Sequence, residues 1–319
     1  MTVLIVIVGV FFAGAVVTFV GTRLIEHAHR PRGRFVDVGG LPQHVVESGA
    51  QDAQHAPPVA VLHGASANLE DMHLALGEHF GGRSRVIYVD RPGQGFSVRP
   101  AGEGASLAYQ ATSLRGILDQ LGIERAILVG HSWAGALALT FALDSPERTA
   151  GLVLIAPVTH PGVWRRTRYS AVLAGPLGWL YSRTFAFPLG AMLMWPGSVA
   201  AFQPQTMPER YVRRSAAMLV LRPRNLMANW ADVGCLEAFL DRQAKRYATL
   251  SAPTIVLAGG SDSLVPASSQ CEKLTAAAPN VKLIMLPGFG HMLHHAAAAR
   301  VVEAVEELAG AVNAARRAN

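Results

Sequence analysis

The chain has 319 residues, half of them hydrophobic and only 16% charged, which excludes a disordered protein and predicts a large buried core. This length suits one large α/β domain with an insertion, or two ordinary domains. The formal net charge of +6 would suit nucleic acid or an anionic membrane surface. Since no nucleic-acid-binding motif accompanies it, we predict the membrane surface and no nucleic-acid partner. Cys235 and Cys271 give no metal-ligand spacing and no disulfide framework, so we expect two small buried side chains.

The first segment of the chain is strongly apolar. Residues 3–20 contain only apolar residues, glycine and one threonine, a run long enough to span the hydrocarbon core of a bilayer as a helix. A cleaved signal peptide would have a basic start, a shorter apolar stretch and a small-residue cleavage site after it, and nothing basic precedes this run. We therefore predict an uncleaved single-pass anchor over residues 1–22 and a basic linker over 23–34. The positive-inside rule then places the rest of the chain in the cytoplasm, because four arginines follow the span: Arg23, Arg30, Arg32 and Arg34.

Beyond the linker, strand patterns alternate with helical sequence. Residues 34–38 and 43–47 predict two strands joined at Gly39-Gly40 as a hairpin at the sheet edge. Short apolar runs rich in branched residues predict buried strands, and these runs cover residues 59–62, 85–90, 126–129, 151–157, 253–258 and 282–286. Helical sequence such as 105–121 separates them, so we predict a mostly parallel, doubly wound sheet.

One predicted strand runs directly into a serine. The motif is Gly130-His131-Ser132-Trp133-Ala134, and the alanine- and leucine-rich sequence after it predicts a helix that ends before Pro146. This pattern holds Ser132 on a sharp turn beside a helix N-terminus, whose free N–H groups favour negative charge. A nucleophilic serine needs such a position, although a serine that merely caps a helix would give a similar local pattern.

The motif resembles the G-x-S-x-G nucleophile elbow of the α/β-hydrolase family, with Ala134 at the fifth position and Gly135 one place later. Four further segments resemble markers of that family in the family's order: His63-Gly64-Ala65, D-x-P-G-x-G-x-S at 90–97, G-x-x-D-x-x-V-P at 259–266, and Gly288-Phe289-Gly290-His291. The resemblance implies an α/β-hydrolase fold whose core covers residues 35–157 and 251–319. Residues 158–250 would form an inserted helical cap.

The resemblance also implies a catalytic triad in the order Ser…Asp…His. Ser132 would be the nucleophile, His291 the general base, and Asp262 the acid that orients the base. His294 and His295 are close competitors for the base. The family's G-x-G-H pattern favours His291, and we expect the other two histidines in the following helix turn.

Further residues of the site follow from the same resemblance. Backbone N–H groups of Ala65 and Trp133 would form the oxyanion hole, and Ser66 and Trp164 would line the substrate site. We expect Asp90 to be structural, because aspartates at turns bind backbone amides. No metal and no organic cofactor are expected.

The predicted cap is rich in tryptophan, phenylalanine, methionine and arginine. We expect most of its large apolar side chains in the cap's own interior and some along a pocket beneath it. Its arginines are normally solvated, and contact with anionic lipid headgroups is a hypothesis that the anchor motivates.

The predicted activity is hydrolysis of a carboxylic ester through an acyl-enzyme, with a hydrophobic acyl or lipid-like substrate. Ser132 argues against epoxide hydrolases and haloalkane dehalogenases, which use aspartate at the elbow. A C–C bond hydrolase, an amidase, an acyltransferase and a ligand-binding member without turnover stay open as alternatives. The oligomeric state also stays open.

Overall fold

The computed structural model describes residues 1–49, 56–82, 84–100, 102–163, 173 and 175–318. These residues form one eight-stranded sheet. The strands are β1 (Arg34–Val38), β2 (Leu41–Ser48), β3 (Val59–Leu62), β4 (Val86–Val89), β5 (Ala126–His131), β6 (Thr149–Ile155), β7 (Thr254–Gly259) and β8 (Val281–Leu286).

The α-helices divide into those of the sheet domain and those inserted between β6 and β7. The helices outside the insertion are α1 (Thr2–Ala28), α2 (Leu69–Phe80), α3 (Leu107–Gln120), α4 (Trp133–Asp144), α9 (Cys271–Ala277), α10 (Leu293–Ala296) and α11 (Ala298–Ala318). The helical insertion contains α5 (Pro176–Thr184), α6 (Ala186–Phe202), α7 (Tyr211–Arg214) and α8 (Pro223–Gln243).

The sheet is mostly parallel, as predicted. Its order is β1-β2-β4-β3-β5-β6-β7-β8, and β1 and β2 form the antiparallel edge. Gly39 and Gly40 join them with φ values of 63° and 81°, a conformation that glycine adopts without strain. The hairpin prediction is therefore confirmed.

Helices cover both faces of the sheet, which explains why its central strands are uniformly apolar. On one face, α3, α4, α8 and α9 contribute to a single buried cluster. On the other face, α2 and α11 pack against the alternate side chains of the same strands. Strand β5, which leads to Ser132, lies between β3 and β6 in the middle of the sheet.

The first helix extends beyond the predicted anchor and docks on the insertion. It continues past residue 22 to Ala28, and its last turns have partners. Ile25 is buried in a small cluster with Ala216 and Leu219. One turn earlier, a Cβ on Gly21 would lie within 2.1 Å of the Phe187 ring, so this glycine permits close contact between α1 and α6.

The large side chains of the insertion do not all lie in its interior. Trp179, Met192 and Trp195 are 53%, 75% and 58% exposed, so the expectation that such residues mainly form the cap's own core was wrong for them. The reason is that α5 and α6 pack on α1 and on each other, while their outer surfaces contact nothing in the described part of the chain. The cysteines also differ, since Cys271 is buried and Cys235 only partly so.

Candidate active site

Ser132 occupies a strained turn between β5 and α4. Its φ is 54°, a conformation that is costly for a residue with a Cβ and persists where the surroundings impose it. Its N–H donates to the Ile155 carbonyl at 2.9 Å, and its own carbonyl accepts from Gly135 and Val158 at 2.9 and 3.0 Å. These bonds to β6, to the loop after it and to the first turn of α4 hold the serine at the carboxyl end of the parallel strands.

Close packing at this turn explains the departure from the family motif. A Cβ on Gly130 would lie 2.6 Å from the Ala134 carbonyl oxygen, and one on Gly135 would lie 2.4 Å from the Pro157 Cβ. The methyl group of Ala134 fits at its position, and this residue is fully buried. Glycine is thus required at 130 and 135, whereas alanine fits at 134.

The structure brings the three predicted triad residues together. His291 Nε2 lies 3.0 Å from Ser132 Oγ, and His291 Nδ1 lies 2.8 Å from Asp262 Oδ2. The other carboxylate oxygen of Asp262 accepts the N–H groups of Leu264 and Val265, each at 2.9 Å. A carboxylate held in this way keeps the proton of a neutral His291 on Nδ1 and leaves the Nε2 lone pair facing the serine hydroxyl.

The predicted oxyanion donors have their N–H groups free. Among the described residues, neither the N–H of Ala65 nor that of Trp133 donates a hydrogen bond. Trp133 begins α4, where amides point along the helix without an intrahelical partner. Ala65 lines the cavity that also contains Ser132. These two amides could together receive a developing oxyanion.

A buried arginine fixes the loop before Ala65. The Arg91 guanidinium donates to the carbonyls of His63 and Gly64 at 3.0 and 3.2 Å. The Arg91 backbone N–H donates to His63 Nε2 at 3.1 Å, while His63 Nδ1 lies 2.8 Å from the Gly64 carbonyl. Burial, followed by the charge of Arg91, lowers the pKa of His63 to about 4, so this imidazole is neutral and uses both nitrogens.

The same arginine ties the helical insertion to the elbow. Asp232 of α8 accepts Arg91 at 2.9 Å and Arg99 at 2.5 Å, and the aspartate is fully buried. The Arg91 guanidinium lies 4.0 Å from the Trp133 ring centroid, and the indole N–H donates to the Asp232 carbonyl at 3.3 Å. No sequence pattern indicated Asp232, because its partners lie more than a hundred residues away.

A cavity of about 470 Å³ lies over Ser132, between the sheet domain and the insertion. Ser66 lines it as predicted, and its N–H donates to Asn229 Oδ1 at 2.7 Å while its hydroxyl accepts from Asn229 Nδ2 at 3.0 Å. Trp164, the other predicted lining residue, lies outside the described residues. Most of the remaining lining is apolar and includes Leu193, Met194, Phe202, Val220, Leu221, Leu226, Trp230 and Met292.

The competing histidines have a different partner. His294 Nε2 and His295 Nε2 lie 2.9 and 2.8 Å from the two oxygens of Asp71, and the Tyr211 hydroxyl donates to the same carboxylate at 2.9 Å. Burial acts to raise the pKa of Asp71, but the two imidazoles outweigh it and hold that pKa well below its usual value. Both histidines lie in α10, as expected, and His291 alone of the three contacts Ser132.

Another histidine connects this cluster to the catalytic geometry. The His131 ring lies 4.1 Å from that of His294 and 4.9 Å from that of His291. Burial, together with these neighbouring imidazoles, holds the pKa of His131 well below its usual value. Ligand atoms of Asp71, His131 and His294 approach within 4.8 Å of one another, but both Asp71 oxygens already accept hydrogen bonds. The histidines were recognisable as candidates from the sequence, whereas no sequence pattern indicated Asp71 or Tyr211.

Asp90 has the structural role expected of it. Its carboxylate accepts the N–H groups of Leu69 and Phe96 at 2.8 and 2.9 Å and contacts His44 Nδ1 at 2.7 Å. It therefore fixes the start of α2 and the turn after β4, away from the serine.

Comparison with known proteins agrees with this architecture. Residues 57–298 match the family described as alpha/beta hydrolase fold, and the chain belongs to that family. It is 29% identical over 243 residues to a 2-hydroxy-6-oxononadienedioate/2-hydroxy-6-oxononatrienedioate hydrolase from Comamonas testosteroni, covering 75% of this chain and 83% of that protein. It is 28% identical to a putative carbamate hydrolase from Variovorax paradoxus, covering 79% and 90%. A thermophilic esterase from Thermogutta terrifontis superposes with a TM-score of 0.68 at 21% identity, covering 88% and 100%, and shares the fold.

The family and the site geometry together define the class of the protein. It is an α/β hydrolase enzyme, as the elbow motif predicted. Its relatives are named for different substrates, so the bond that it cleaves has to be argued from its own residues.

Proposed function

We propose that this protein is a serine hydrolase that cleaves a neutral carboxylic ester with a hydrophobic acyl chain. The observation that carries the proposal is the position of His291, which lies between Ser132 Oγ at 3.0 Å and Asp262 Oδ2 at 2.8 Å. This arrangement lets one imidazole accept the serine proton and then donate it to the leaving alcohol.

The reaction proceeds in two halves. Ser132 Oγ attacks the ester carbonyl while His291 Nε2 takes its proton, and the tetrahedral oxyanion is held by the N–H groups of Ala65 and Trp133. Collapse releases the alcohol, which receives the proton from His291. Water then attacks the acyl-serine with His291 again as base, and Ser132 is regenerated as the acid departs. The Asp262 carboxylate orients His291 and stabilises the imidazolium. This sequence of steps needs no cofactor.

The cavity favours a neutral, apolar substrate over an anionic one. Its described lining contains no arginine and no lysine, and burying an unpaired carboxylate in such surroundings is costly. The second candidate is a 2-hydroxy-6-oxo dienoate, the kind of substrate that the Comamonas relative's name contains. That compound carries carboxylates for which the described lining of the cavity offers no arginine or lysine partner, so the ester is preferred.

We also propose that α1 is an uncleaved membrane anchor with the hydrolase domain on the cytoplasmic side. It is the one described single helix long and apolar enough to cross a bilayer, and 6% of its most apolar window is buried. The buried part supports retention, since Thr18, Gly21 and Ile25 face the protein. A cleaved leader would leave Thr184 and Phe187 of the insertion uncovered.

The test of the catalytic proposal uses the full chain in detergent micelles and a series of p-nitrophenyl esters of increasing acyl length. We expect hydrolysis that favours longer chains and falls by about 10⁴-fold or more in Ser132→Ala, because no other described group replaces the nucleophile. Thermal unfolding of the variant checks that it is folded. Hydrolysis that survives the substitution would refute the nucleophile, and faster turnover of a 2-hydroxy-6-oxo dienoate than of any ester would refute the substrate class.

A further inference from the structure

The point where α1 meets the insertion lies at mid-depth in the predicted membrane span. The Phe11 ring contacts the Phe185 ring at 5.0 Å, and a Cβ on Gly14 would lie 2.8 Å from the Thr184 carbonyl oxygen. One turn further on, the Thr18 hydroxyl donates to that same carbonyl at 3.0 Å and is buried. The break between α5 and α6 therefore lies beside residues 11–18 of the anchor.

This contact has a direct consequence for the insertion. A helix rises about 1.5 Å per residue, so Phe11 and Thr18 are separated by about 10 Å along α1, within a hydrocarbon core of about 30 Å. Any bilayer that surrounds residues 3–20 must also surround the α5–α6 break. Non-helical backbone at such depth needs its polar groups paired, and the bond from Thr18 pairs the Thr184 carbonyl.

The composition of the two helices suits this depth. The 17 residues of α6 include no charged side chain, and its exposed large apolar residues are Leu189, Met192, Leu193 and Trp195, at 46%, 75%, 66% and 58%. On α5, Leu177 and Trp179 are 69% and 53% exposed. The charged residue of α5, Arg183, lies over the Trp179 ring and donates to the Trp179 carbonyl, which lowers the cost of placing it near lipid.

The two helices are bent by 73° relative to each other and are together long and apolar enough to cross a membrane. Because both ends of the pair connect to the sheet domain, we consider a hairpin that enters and leaves on one side. Cationic residues lie where the hairpin would leave the bilayer. Arg210 and Arg213 line an apolar groove between α1 and α6, near Leu24, Ala28 and His29 at the end of the anchor. Arginines at this level suit the headgroup region of anionic lipids.

The inner side of α6 faces the candidate active site. Gly190, Met194, Gly197, Ser198 and Ala201 line the cavity that contains Ser132, while Met192 and Trp195 face outward. Leu193 is both part of the cavity lining and 66% exposed, so the cavity reaches the outer surface at this residue. A single helix thus separates the catalytic serine from the surface that α1 places in lipid.

We propose that the α5–α6 hairpin is embedded in the same bilayer as α1, and that the substrate is a lipid ester that enters the cavity from the bilayer past Leu193. This inference rests on the proposed serine hydrolase and on the proposed anchor. It adds a lipid-facing entrance and restricts the substrate to esters whose acyl chain resides in the membrane. The reaction remains ester hydrolysis by water, which releases a fatty acid and an alcohol.

The position of the hairpin is tested without any catalysis. Full-length Ser132→Ala protein is reconstituted in vesicles of phosphatidylcholine and phosphatidylglycerol, with bromine atoms on the acyl chains as quenchers of tryptophan fluorescence. We expect quenching that decreases strongly in the Trp179→Phe/Trp195→Phe variant. A Phe12→Trp substitution in that variant reports on the anchor. Quenching of residue 12 without quenching of residues 179 and 195 would overturn the hairpin proposal and leave the anchor in place.

Entry from the bilayer is tested by kinetics with the same reconstituted chain, serine intact. We expect Met192→Glu/Trp195→Glu to reduce kcat/KM for a vesicle-borne p-nitrophenyl palmitate by about tenfold or more, because a carboxylate resists insertion in hydrocarbon, and to leave water-soluble p-nitrophenyl acetate almost unchanged. Met285→Glu, at an exposed residue of β8, is the matched control. Equal effects on both esters, or none on the palmitate, would refute lipid entry. If the parent protein hydrolysed neither ester, the proposed hydrolase itself would be refuted.

Discussion

At the scale of single residues, the geometry of the candidate active site depends on side chains that do not line its cavity. His63 is the clearest case, because its two nitrogens hold the loop that presents the Ala65 N–H. The neutral imidazole donates from Nδ1 and accepts at Nε2, and protonation would replace that acceptor with a second donor. A proton on His63 is therefore incompatible with the Arg91 N–H that points at it.

This dependence predicts a loss of stability in mild acid. The pKa of His63 falls from 6.5 to about 4 on folding, so between these values the unfolded state binds more protons and stability rises with pH. The contribution is complete above the unfolded pKa and is lost as pH falls toward the folded one, amounting to about 3 kcal/mol in total. Denaturant unfolding from about pH 7 to pH 4 should give a flatter profile for His63→Gln than for the parent chain.

The exposed His79 provides the control for that measurement, since His79→Gln removes a histidine without touching the loop. A profile for His63→Gln as steep as that of the control would show that His63 does not titrate as inferred. His131 and His294 are also buried, and burial lowers the pKa of each, so we expect part of the slope to persist in the His63 variant.

At the scale of elements, α8 connects the insertion to the catalytic loops through one buried carboxylate. Asp232 accepts Arg91 and Arg99 from the sheet domain, and Gln94 and Gln110 also donate to it. Buried ion pairs contribute little net stability compared with apolar packing, but removing one partner leaves an uncompensated charge. Removing Asp232 should therefore destabilise the fold by more than the intact ion pairs stabilise it, because the arginines would lose their carboxylate partner.

We expect Asp232→Asn to lower the free energy of unfolding by about 3–5 kcal/mol and to reduce ester hydrolysis, because Arg91 also holds the loop before Ala65. Asp241→Asn tests the specificity of this effect on the same helix. Asp241 is 68% exposed and pairs with Lys245 one turn away, so its loss should cost less than about 0.5 kcal/mol. Similar losses of stability in the two variants would contradict the role assigned to Asp232.

At the scale of the whole molecule, α1 is part of the folded structure. Its buried face includes Thr18, Gly21 and Ile25, and its end is joined to the insertion through Glu26 and Arg222 at 3.5 Å. Arg222 is almost fully buried and lies over the Phe96 ring at 4.7 Å. Removal of α1 would uncover apolar surface on α6 and leave Arg222 without its carboxylate.

We therefore expect the mature protein to retain its first helix. Intact-mass spectrometry of the protein from a membrane fraction should give the mass of the uncleaved chain, apart from loss of the initiator methionine. A mass that corresponds to cleavage within or just after residues 3–20 would identify the segment as a leader. It would contradict both the proposed anchor and the proposed bilayer-embedded hairpin, while leaving the proposed serine hydrolase unaffected.

The sequence alone identified what local patterns encode. The β5 run, the glycines at 130 and 135 and the order of Ser132, Asp262 and His291 were sufficient to predict the fold and the residues that meet at the site. Strand periodicity, helix termini and turn residues are properties of short segments, so they can be recognised before any tertiary contact is known. The apolar run at the N-terminus is local in the same sense.

Only the tertiary structure decided which residues that are distant in the sequence contact each other. Asp71 meets His294 across 223 residues, Arg91 meets Asp232 across 141, and Thr18 meets Thr184 across 166. No period in the sequence relates such pairs, because their contacts follow from how helices pack on the sheet. For the same reason, the aromatic residues of the insertion could not be divided by sequence into interior and surface. Their exposure is set by the docking of α1, and that docking places α6, with its exposed apolar side chains, directly over the candidate catalytic serine.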